Sequence, residues 1–333
     1  MSVIEKSIIK PGFYNSICDV DGIKVGNAAD DEYCTGVTVV CPDSSAVTGV
    51  DVRGGAPGTR DTEALNPSNS LNAIDAVVLS GGSVFGLEAA SEVTRWLSSK
   101  GRGLDVYDTK LPIVSSAVIF DFPIGKQRDW TNISPFTVLA KKACEALSKK
   151  VDIGNVGAGM GATAGHLKGG LGTASYVTSE GWQIGAIAIV NSFGEVLIPG
   201  TRNFWAGNIE YGSEFGGLGS AKISSEMIDY KVSSSILANT TLCVVATNLQ
   251  LNKSQAQRVA IISQDGLARA IRPVHTSFDG DIVFAMSTGR LSLPKPVNVS
   301  ITRIGNLAAD CVSRAIARGV YSAKSIGNFG SYS

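Results

Sequence analysis

Residues 236–248 read Ile-Leu-Ala-Asn-Thr-Thr-Leu-Cys-Val-Val-Ala-Thr-Asn. It begins as a polar turn with Asn239, Thr240 and Thr241. It continues as an apolar run from Leu242 to Ala246, which is rich in β-branched residues and has the length of a buried strand. Two hydroxyl side chains are therefore expected at the entrance to that strand. An ordinary turn gives the same pattern, because Asn favours turns and Thr favours strands.

Residues 272–289 have the same arrangement of polar residues before an apolar strand. Asp279 and Asp281 flank a glycine before the run Ile282 to Met286, and an amphipathic helix from about Lys253 to Ile271 lies between the two runs. A helical crossover favours parallel strands, whose N-terminal ends then lie at one edge of the sheet. The two polar segments are expected to be close together. A plain Asp-Gly turn and a two-carboxylate metal site are the alternatives for the acid pair.

Further stretches of the chain carry a family resemblance. In order they are DVDGIKVGNA from residue 19, RGGAPGTRDT, LSGGSVFGLEAA, GNVGAGMGATAG, the Asn239-Thr240-Thr241 turn with VVATN, AQRVAIISQDGLARAIRPVHTSFDGD and VFAMSTG. Together they resemble the DmpA family of self-cleaving hydrolases, which includes L-aminopeptidase/D-amidases, β-peptidyl aminopeptidases and the nylon-oligomer hydrolase. The aminopeptidase branch has Gly-Ser and Ser-x-Glu where this chain has Asn-Thr and Asp-Gly-Asp. The chain thus looks most like the nylon-oligomer branch.

The resemblance implies a fold and a processing event. The fold is an α/β four-layer α/β/β/α sandwich of the N-terminal-nucleophile type, in a single domain of residues 1–333. Self-cleavage between Asn239 and Thr240 would give chains 1–239 and 240–333. The product is expected to be a homo-oligomer, a tetramer of processed heterodimers, that hydrolyses short peptides, amino-acid amides or ω-amino-acid oligomers without a cofactor.

The resemblance also implies roles for five side chains. Thr240 would be the nucleophile, first on the preceding carbonyl and later on the substrate, with its own α-amine as base. Asn191, otherwise a turn residue after an apolar strand, would donate its amide to an oxyanion. Lys168, the only cation in a glycine-rich run, would stabilise negative charge or else be a solvated lysine. Asp279 and Asp281, two residues apart, would point to the same face of a strand and orient Thr240.

Composition argues against several other classes of function. The net charge is 0 and 17% of residues are charged, so there is no basic footprint for nucleic acid. No run approaches the roughly 18 apolar residues of a membrane span, and the first residues have no apolar signal core. The sequence therefore predicts a soluble cytoplasmic protein with neither membrane nor nucleic-acid partners. The six cysteines are scattered without Cys-x-x-Cys, so we expect them to be reduced and mostly buried.

The scarcity of histidine restricts the chemistry. Only His166 and His275 are present, so a Ser-His-Asp type of triad requires one of these two as base. An N-terminal α-amine is the other available base, with a reference pKa of about 7.7–8. The glycines of GNVGAGMGATAG do not have the spacing of a dinucleotide site, and we expect tight turns and close backbone approach there.

The remaining pattern predicts further elements. Residues 203–235 have no sustained period and are expected to be a long loop before the cleavage point. One predicted helix has Ser83 as its N-cap and ends near Gly101, and a second runs from Ser134-Pro135 to Lys149-Lys150. A further helix is predicted from about Ile304 to Arg318. The predicted strands are Asp75 to Leu79, Gly172 to Val177 and Gln183 to Val190.

The chain departs from the family at one point. The family commonly has a tyrosine near the strand that follows Pro-Ile-Val, and residues 112–122 contain none. Recognition of the substrate carbonyl then falls to another group or is lost. Two other functions stay open: an acyltransferase like the acetyl-ornithine acetyltransferases, which also cleave themselves before a threonine, and a non-catalytic binding or scaffold protein that is never cleaved.

Overall fold

The computed structural model describes residues 8–130, 134–223 and 239–333. Its helices are α1 (Glu88–Ser99), α2 (Phe136–Glu145), α3 (Lys253–Ala270) and α4 (Val297–Tyr321). Its strands are β1 (Ile9–Lys10), β2 (Ile23–Asp30), β3 (Thr35–Pro42), β4 (Val47–Val52), β5 (Thr59–Arg60), β6 (Ala76–Ser80), β7 (Leu104–Val106), β8 (Thr109–Leu111), β9 (Val114–Val118), β10 (Thr163–Ala164), β11 (Leu167–Lys168), β12 (Gly170–Thr178), β13 (Gln183–Asn191), β14 (Thr240–Leu249) and β15 (Ile282–Leu291).

The larger sheet places the expected segments side by side. Its strand order is β1-β12-β13-β14-β15-β4. The two strands joined by helix α3 pair in parallel, with Leu242 opposite Ile282, as the sequence predicted. On its other side β14 pairs antiparallel with β13, and Asn191 lies opposite Thr240. The polar segments before β14 and β15 therefore meet at one edge of the sheet.

The second sheet completes a layered architecture. Its order is β2-β3-β6-β9-β5. Alternate side chains of β14 face opposite ways: Leu242 and Val244 pack in the core between the sheets, whereas Cys243 and Val245 pack toward α3 and α4. A third core lies between the second sheet and helices α1 and α2. This confirms the predicted four-layer α/β/β/α sandwich.

Three predicted helix ends are wrong. Gly82, with φ of +76°, is the cap before a short 3-10 segment, so Ser83 is not an N-cap and α1 begins only at Glu88. A Cβ at Gly82 would lie 2.0 Å from the ring of Phe136, which explains the glycine at this sharp turn. Helix α2 ends at Glu145 because the chain leaves it to pair Ser148 with Val25. Helix α4 begins at Val297, directly after a proline, which is well tolerated at a helix start.

The predicted long loop before Asn239 contains regular structure in its described part. Residues 205–209 form a 3-10 helix. Glu214 forms a two-pronged ion pair with the fully buried Arg314 of α4, at 2.6 and 2.9 Å. The predicted long loop is thus fixed to α4 near Glu214, and residues 224–238 lie outside the described residues.

Two smaller expectations are also met. All six cysteines are buried and unpaired. The glycines of residues 154–161 make close contacts: a Cβ at Gly161 would lie 2.0 Å from the carbonyl oxygen of Cys34. Within the described ranges, no helix has the length and apolar character needed to cross a membrane.

Candidate active site

Thr240 is the first residue of β14 and is almost fully buried. Its hydroxyl donates a hydrogen bond to the carbonyl oxygen of Asn239 at 2.5 Å. Asn239 is itself held by the segment before β15, because its N–H donates to the Phe278 carbonyl at 3.0 Å and its carbonyl accepts from the Gly280 N–H at 2.9 Å. The candidate nucleophile is thus in contact with the carbonyl group that an acyl shift would attack.

Asp281 holds the residue after the nucleophile. One carboxylate oxygen accepts the Thr241 N–H at 2.8 Å. The other accepts the backbone N–H of His275 at 3.0 Å and lies 2.9 Å from Nδ1 of the same residue. The carboxylate is 1% exposed, so these contacts are shielded from water. Sequence reasoning missed His275 as a partner of this acid.

Asp279 holds a different segment. Its carboxylate accepts the Phe193 N–H at 3.2 Å and the Thr276 hydroxyl at 2.6 Å. Burial, and secondarily the negative charge of Asp281, raise the pKa of Asp279. Strand β15 begins only at Ile282, so the strand alternation assumed for the two acids does not apply. They are electrostatic neighbours that bind separate groups.

Asn191 faces Thr240 across the strand pair but uses its side chain elsewhere. Its oxygen accepts the Thr163 N–H at 2.9 Å, and its amide nitrogen donates to the Phe120 carbonyl at 3.1 Å. Phe120 lies in the segment where the family tyrosine was expected. The amide nitrogen carries a second hydrogen, which the predicted oxyanion role would use.

Lys168 is fully buried, so the solvated-lysine alternative is wrong. Its ammonium donates to the carbonyls of Gly159 at 3.1 Å and Gly169 at 2.8 Å. Burial lowers the pKa of Lys168 to about 7, against the opposing effect of negative charge at Cys34 and Asp121.

A short hairpin connects the lysine to the strand pair. Lys168 pairs with Thr163 across β10 and β11, and the Thr163 N–H donates to the Asn191 side chain. Thr163 therefore links Lys168 to Asn191, and Asn191 lies opposite Thr240 in the neighbouring strand.

Glu195 anchors the turn of that hairpin, which sequence reasoning missed. Its carboxylate accepts the His166 N–H at 3.3 Å and lies 2.7 Å from His166 Nδ1. A Cβ on Gly165, whose φ is +58°, would lie 2.4 Å from the Glu195 carboxyl carbon. The described hydrogen bonds pair His166 with Glu195 and His275 with Asp281, and none joins either imidazole to Thr240.

The RGGAPG motif supports the backbone of the acid segment. The N–H groups of Arg53 and Ala56 donate to the carbonyls of Asp281 at 3.0 Å and Asp279 at 2.8 Å. A Cβ on Gly54 would lie 2.4 Å from the Asp279 carbonyl oxygen, so this position requires glycine for space. Within the described ranges, no three His, Cys, Asp or Glu side chains gather as a metal site would need.

Comparison with known proteins identifies the family. Residues 15–332 match the model of peptidase family S58. The chain belongs to peptidase family S58. It is 40% identical to an uncharacterized aminopeptidase of Mycobacterium bovis, over 96% of this chain and 97% of that protein. It is 28% identical to the 6-aminohexanoate-oligomer endohydrolase of a Kocuria species, over 90% of this chain and 84% of that protein.

A solved structure supports the fold assignment. The L-aminopeptidase D-Ala-esterase/amidase of Ochrobactrum anthropi, described as a variant of the N-terminal-nucleophile hydrolase fold, superimposes with a TM-score of 0.68. The match has 21% identity and covers 96% of this chain and 89% of that one. The resemblance to the DmpA family is confirmed, and the S58 chain is a peptide or amide hydrolase.

Proposed function

We propose that this chain is a self-processing amide hydrolase whose nucleophile is Thr240. The contact that carries the proposal is the 2.5 Å hydrogen bond from the Thr240 hydroxyl to the Asn239 carbonyl. The Gly280 and Phe278 backbones hold both backbone hydrogen-bonding groups of Asn239. The Thr240 hydrogen bond keeps the hydroxyl beside the carbonyl group that it would attack, and such proximity favours an intramolecular reaction.

The first step is an intramolecular acyl shift. The Thr240 oxygen bonds to the Asn239 carbonyl carbon, the carbon–nitrogen bond breaks, and the hydroxyl proton ends on the released amine. Water then hydrolyses the resulting ester. The products are the Asn239 carboxylate and an N-terminal Thr240.

The second step is turnover of substrate by the new N-terminus. The α-amine takes the proton of its own hydroxyl, and the oxygen attacks the substrate carbonyl to form an acyl-enzyme that water hydrolyses. Asp281, which accepts the Thr241 N–H at 2.8 Å, places a negative charge one residue from this amine. Such a charge favours the ammonium form, so the amine pKa should rise and activity should fall as the pH drops. Lys168 and Asn191 are proposed to act on the oxyanion from the hairpin side.

The proposed substrates are short peptides, amino-acid amides or ω-amino-acid oligomers. The aminopeptidase name of the mycobacterial relative supports the first two, and the endohydrolase name of the Kocuria relative supports the third. We extend the proposal to a homo-oligomer of processed protomers, expected to be a tetramer of heterodimers in the cytoplasm, with no cofactor.

The test compares Thr240→Ala with Thr240→Ser. Both are assayed by denaturing gel for processing, and with an amino-acid anilide and a 6-aminohexanoate oligomer for hydrolysis. The alanine variant should show neither activity, whereas serine keeps a hydroxyl and should keep both. Transfer of the acyl group to an added amino-acid amine in preference to water would favour an acyltransferase. Cleaved and active Thr240→Ala would place the nucleophile elsewhere, and Thr241 or Ser192 would be tested next.

A further inference from the structure

The Asn239 carbonyl already has a backbone donor. Its oxygen accepts the Gly280 N–H at 2.9 Å, whereas the amide of Asn191 donates to Phe120. We propose that the backbone N–H of Gly280 is an oxyanion donor of this enzyme, in self-processing and in substrate turnover. The proposal rests on Thr240 as the nucleophile. The Gly280 N–H would then provide the contact with the substrate carbonyl for which residues 112–122 offer no tyrosine.

The donor is fixed in direction before any charge develops. The peptide unit between Asp279 and Gly280 is planar, so its carbonyl and its N–H point in opposite directions along one rigid plane. The carbonyl accepts the Ala56 N–H at 2.8 Å, and the N–H of the same unit donates to Asn239 at 2.9 Å. Anchoring the carbonyl to the RGGAPG loop therefore aims the N–H at the scissile carbonyl. Donors that are preorganised in this way are effective in oxyanion holes, because they need no rearrangement during reaction.

Space at position 280 also fits this role. A Cβ on Gly280 would lie 2.7 Å from the Thr240 hydroxyl oxygen and 2.8 Å from the Ala56 carbonyl oxygen. Its φ is not in the left-handed region, so glycine is required here for close approach and not for conformation. Absence of a side chain lets the backbone reach both the nucleophile and the carbonyl that it attacks.

The same donor serves both reactions. When the Thr240 oxygen bonds to the Asn239 carbon, the carbonyl electron pair moves to the oxygen, where the Gly280 N–H stabilises it. The pair returns as the carbon–nitrogen bond breaks, and water later releases the Asn239 carboxylate. The Gly280 N–H then lies beside Thr240 without its original partner. A substrate carbonyl under attack by Thr240 takes the place of the Asn239 carbonyl and accepts the same hydrogen bond.

The decisive experiment replaces the donor atom alone. Glycolic acid in place of Gly280 turns the N–H into an ester oxygen and adds no side chain. The matched control is the same replacement at Gly181, whose N–H donates to the Thr178 carbonyl at 3.0 Å in the β12–β13 turn. Loss of one oxyanion donor lowers kcat by about 10²–10³-fold, and we expect that loss at position 280 in both processing and turnover with KM little changed. The control should process and turn over as the wild type does. Equal rates for the two esters would overturn the proposal.

A second measurement needs no variant. A peptide aldehyde forms a tetrahedral adduct on an N-terminal threonine hydroxyl, and ¹⁵N-glycine labelling reports the Gly280 amide. Its proton resonance should move downfield in the adduct, and an unchanged resonance would contradict the proposal. If the wild type neither processes nor binds the aldehyde, the nucleophile assignment is at fault. If it does both and Gly280 does not respond, only the donor assignment fails.

Discussion

Two segments support Thr240, one by direct contact and the other through an intermediate residue. On the acid side, residues 275–281 contact the chain around the nucleophile directly, through the Phe278 carbonyl, the Gly280 N–H and the Asp281 carboxylate. On the hairpin side, residues 163–168, contact passes through Asn191, the cross-strand partner of Thr240. The acid side thus fixes geometry with two backbone groups and a buried carboxylate, whereas the hairpin side supplies a buried lysine. Changes on the acid side should stop the reaction, and changes on the hairpin side should mainly alter the dependence of stability on pH.

The largest effect is expected for Gly280→Ala. The added methyl group would lie 2.7 Å from the Thr240 oxygen, with the Ala56 carbonyl behind it at 2.8 Å. Processing should fall below detection on a denaturing gel over a time in which the wild type is complete. The matched control is Gly330→Ala, where an added Cβ meets nothing within 4 Å. Normal processing of the Gly280 variant would mean that the nucleophile is not confined as described.

The next effect is expected for Asp281→Asn. The two carboxylate oxygens of Asp281 accept hydrogen bonds from the N–H groups of Thr241 and His275. In the asparagine variant one oxygen becomes an NH2 group, which cannot accept and would face one of these N–H groups. We expect kcat to fall by about 10²-fold, because the Thr240 amine that acts as general base loses the charge and the backbone contact that orient it, and the free energy of unfolding to fall by about 1–3 kcal/mol. Steady-state kinetics and urea unfolding measure the two, with exposed Asp152→Asn as control.

Chelation separates this role from metal binding. An orienting carboxylate predicts that wild-type kcat is unchanged in a chelator. Activity that disappears in the chelator and returns with a divalent ion would support the two-carboxylate metal site instead.

A smaller and pH-dependent effect is expected on the hairpin side. The pKa of Lys168 is lowered from 10.5 to about 7 by burial, so between these values the unfolded chain binds a proton that the folded chain does not. Stability should therefore rise with pH over that interval, by at most about 1.4 kcal/mol per pH unit from this group, and stay level below it. Lys168→Met should remove the slope, and exposed Lys141→Met should keep it. Urea unfolding from pH 6 to 10 is the measurement, and an unchanged slope in Lys168→Met would assign the titration to another group.

The smallest effect is expected for Glu195→Gln at the turn of the hairpin. Glutamine keeps an acceptor for the His166 N–H and loses only the charge, and the His166 side chain is 67% exposed. An exposed pair contributes at most about 1 kcal/mol, so we expect less than about a tenfold change in kcat and a similarly small loss of stability. A processing defect as severe as that of Gly280→Ala would remove the distinction between the two sides.

The sequence predicted features that follow from periodicity. Two apolar runs joined by an amphipathic helix predicted the parallel strands β14 and β15, and the polar residues before each run predicted where the site lies. The roles of Thr240, Lys168 and Asn191 came from the family resemblance, and the spacing of residues did not reveal them.

Other features left no local signal in the sequence. Every residue except proline has a backbone N–H, so the amino-acid sequence does not distinguish the N–H of Gly280 as a donor to Asn239. Glu195 and His166 meet only because two turns converge in space. Ser83 has a typical N-cap residue type, but the preceding Gly82 adopts the left-handed turn and displaces the start of α1 to Glu88. The first two features depend on tertiary contacts alone, and at Ser83 the tertiary turn overrides a local preference.

Intact-mass spectrometry can detect the proposed break of the main chain between Asn239 and Thr240. Purified protein is incubated at neutral pH, and its masses are followed with Thr240→Ala as the uncleaved reference. We expect two chains, residues 1–239 and 240–333, and N-terminal sequencing of the smaller chain should begin Thr-Thr-Leu-Cys. A single chain of 34.6 kDa that persists through prolonged incubation would contradict it.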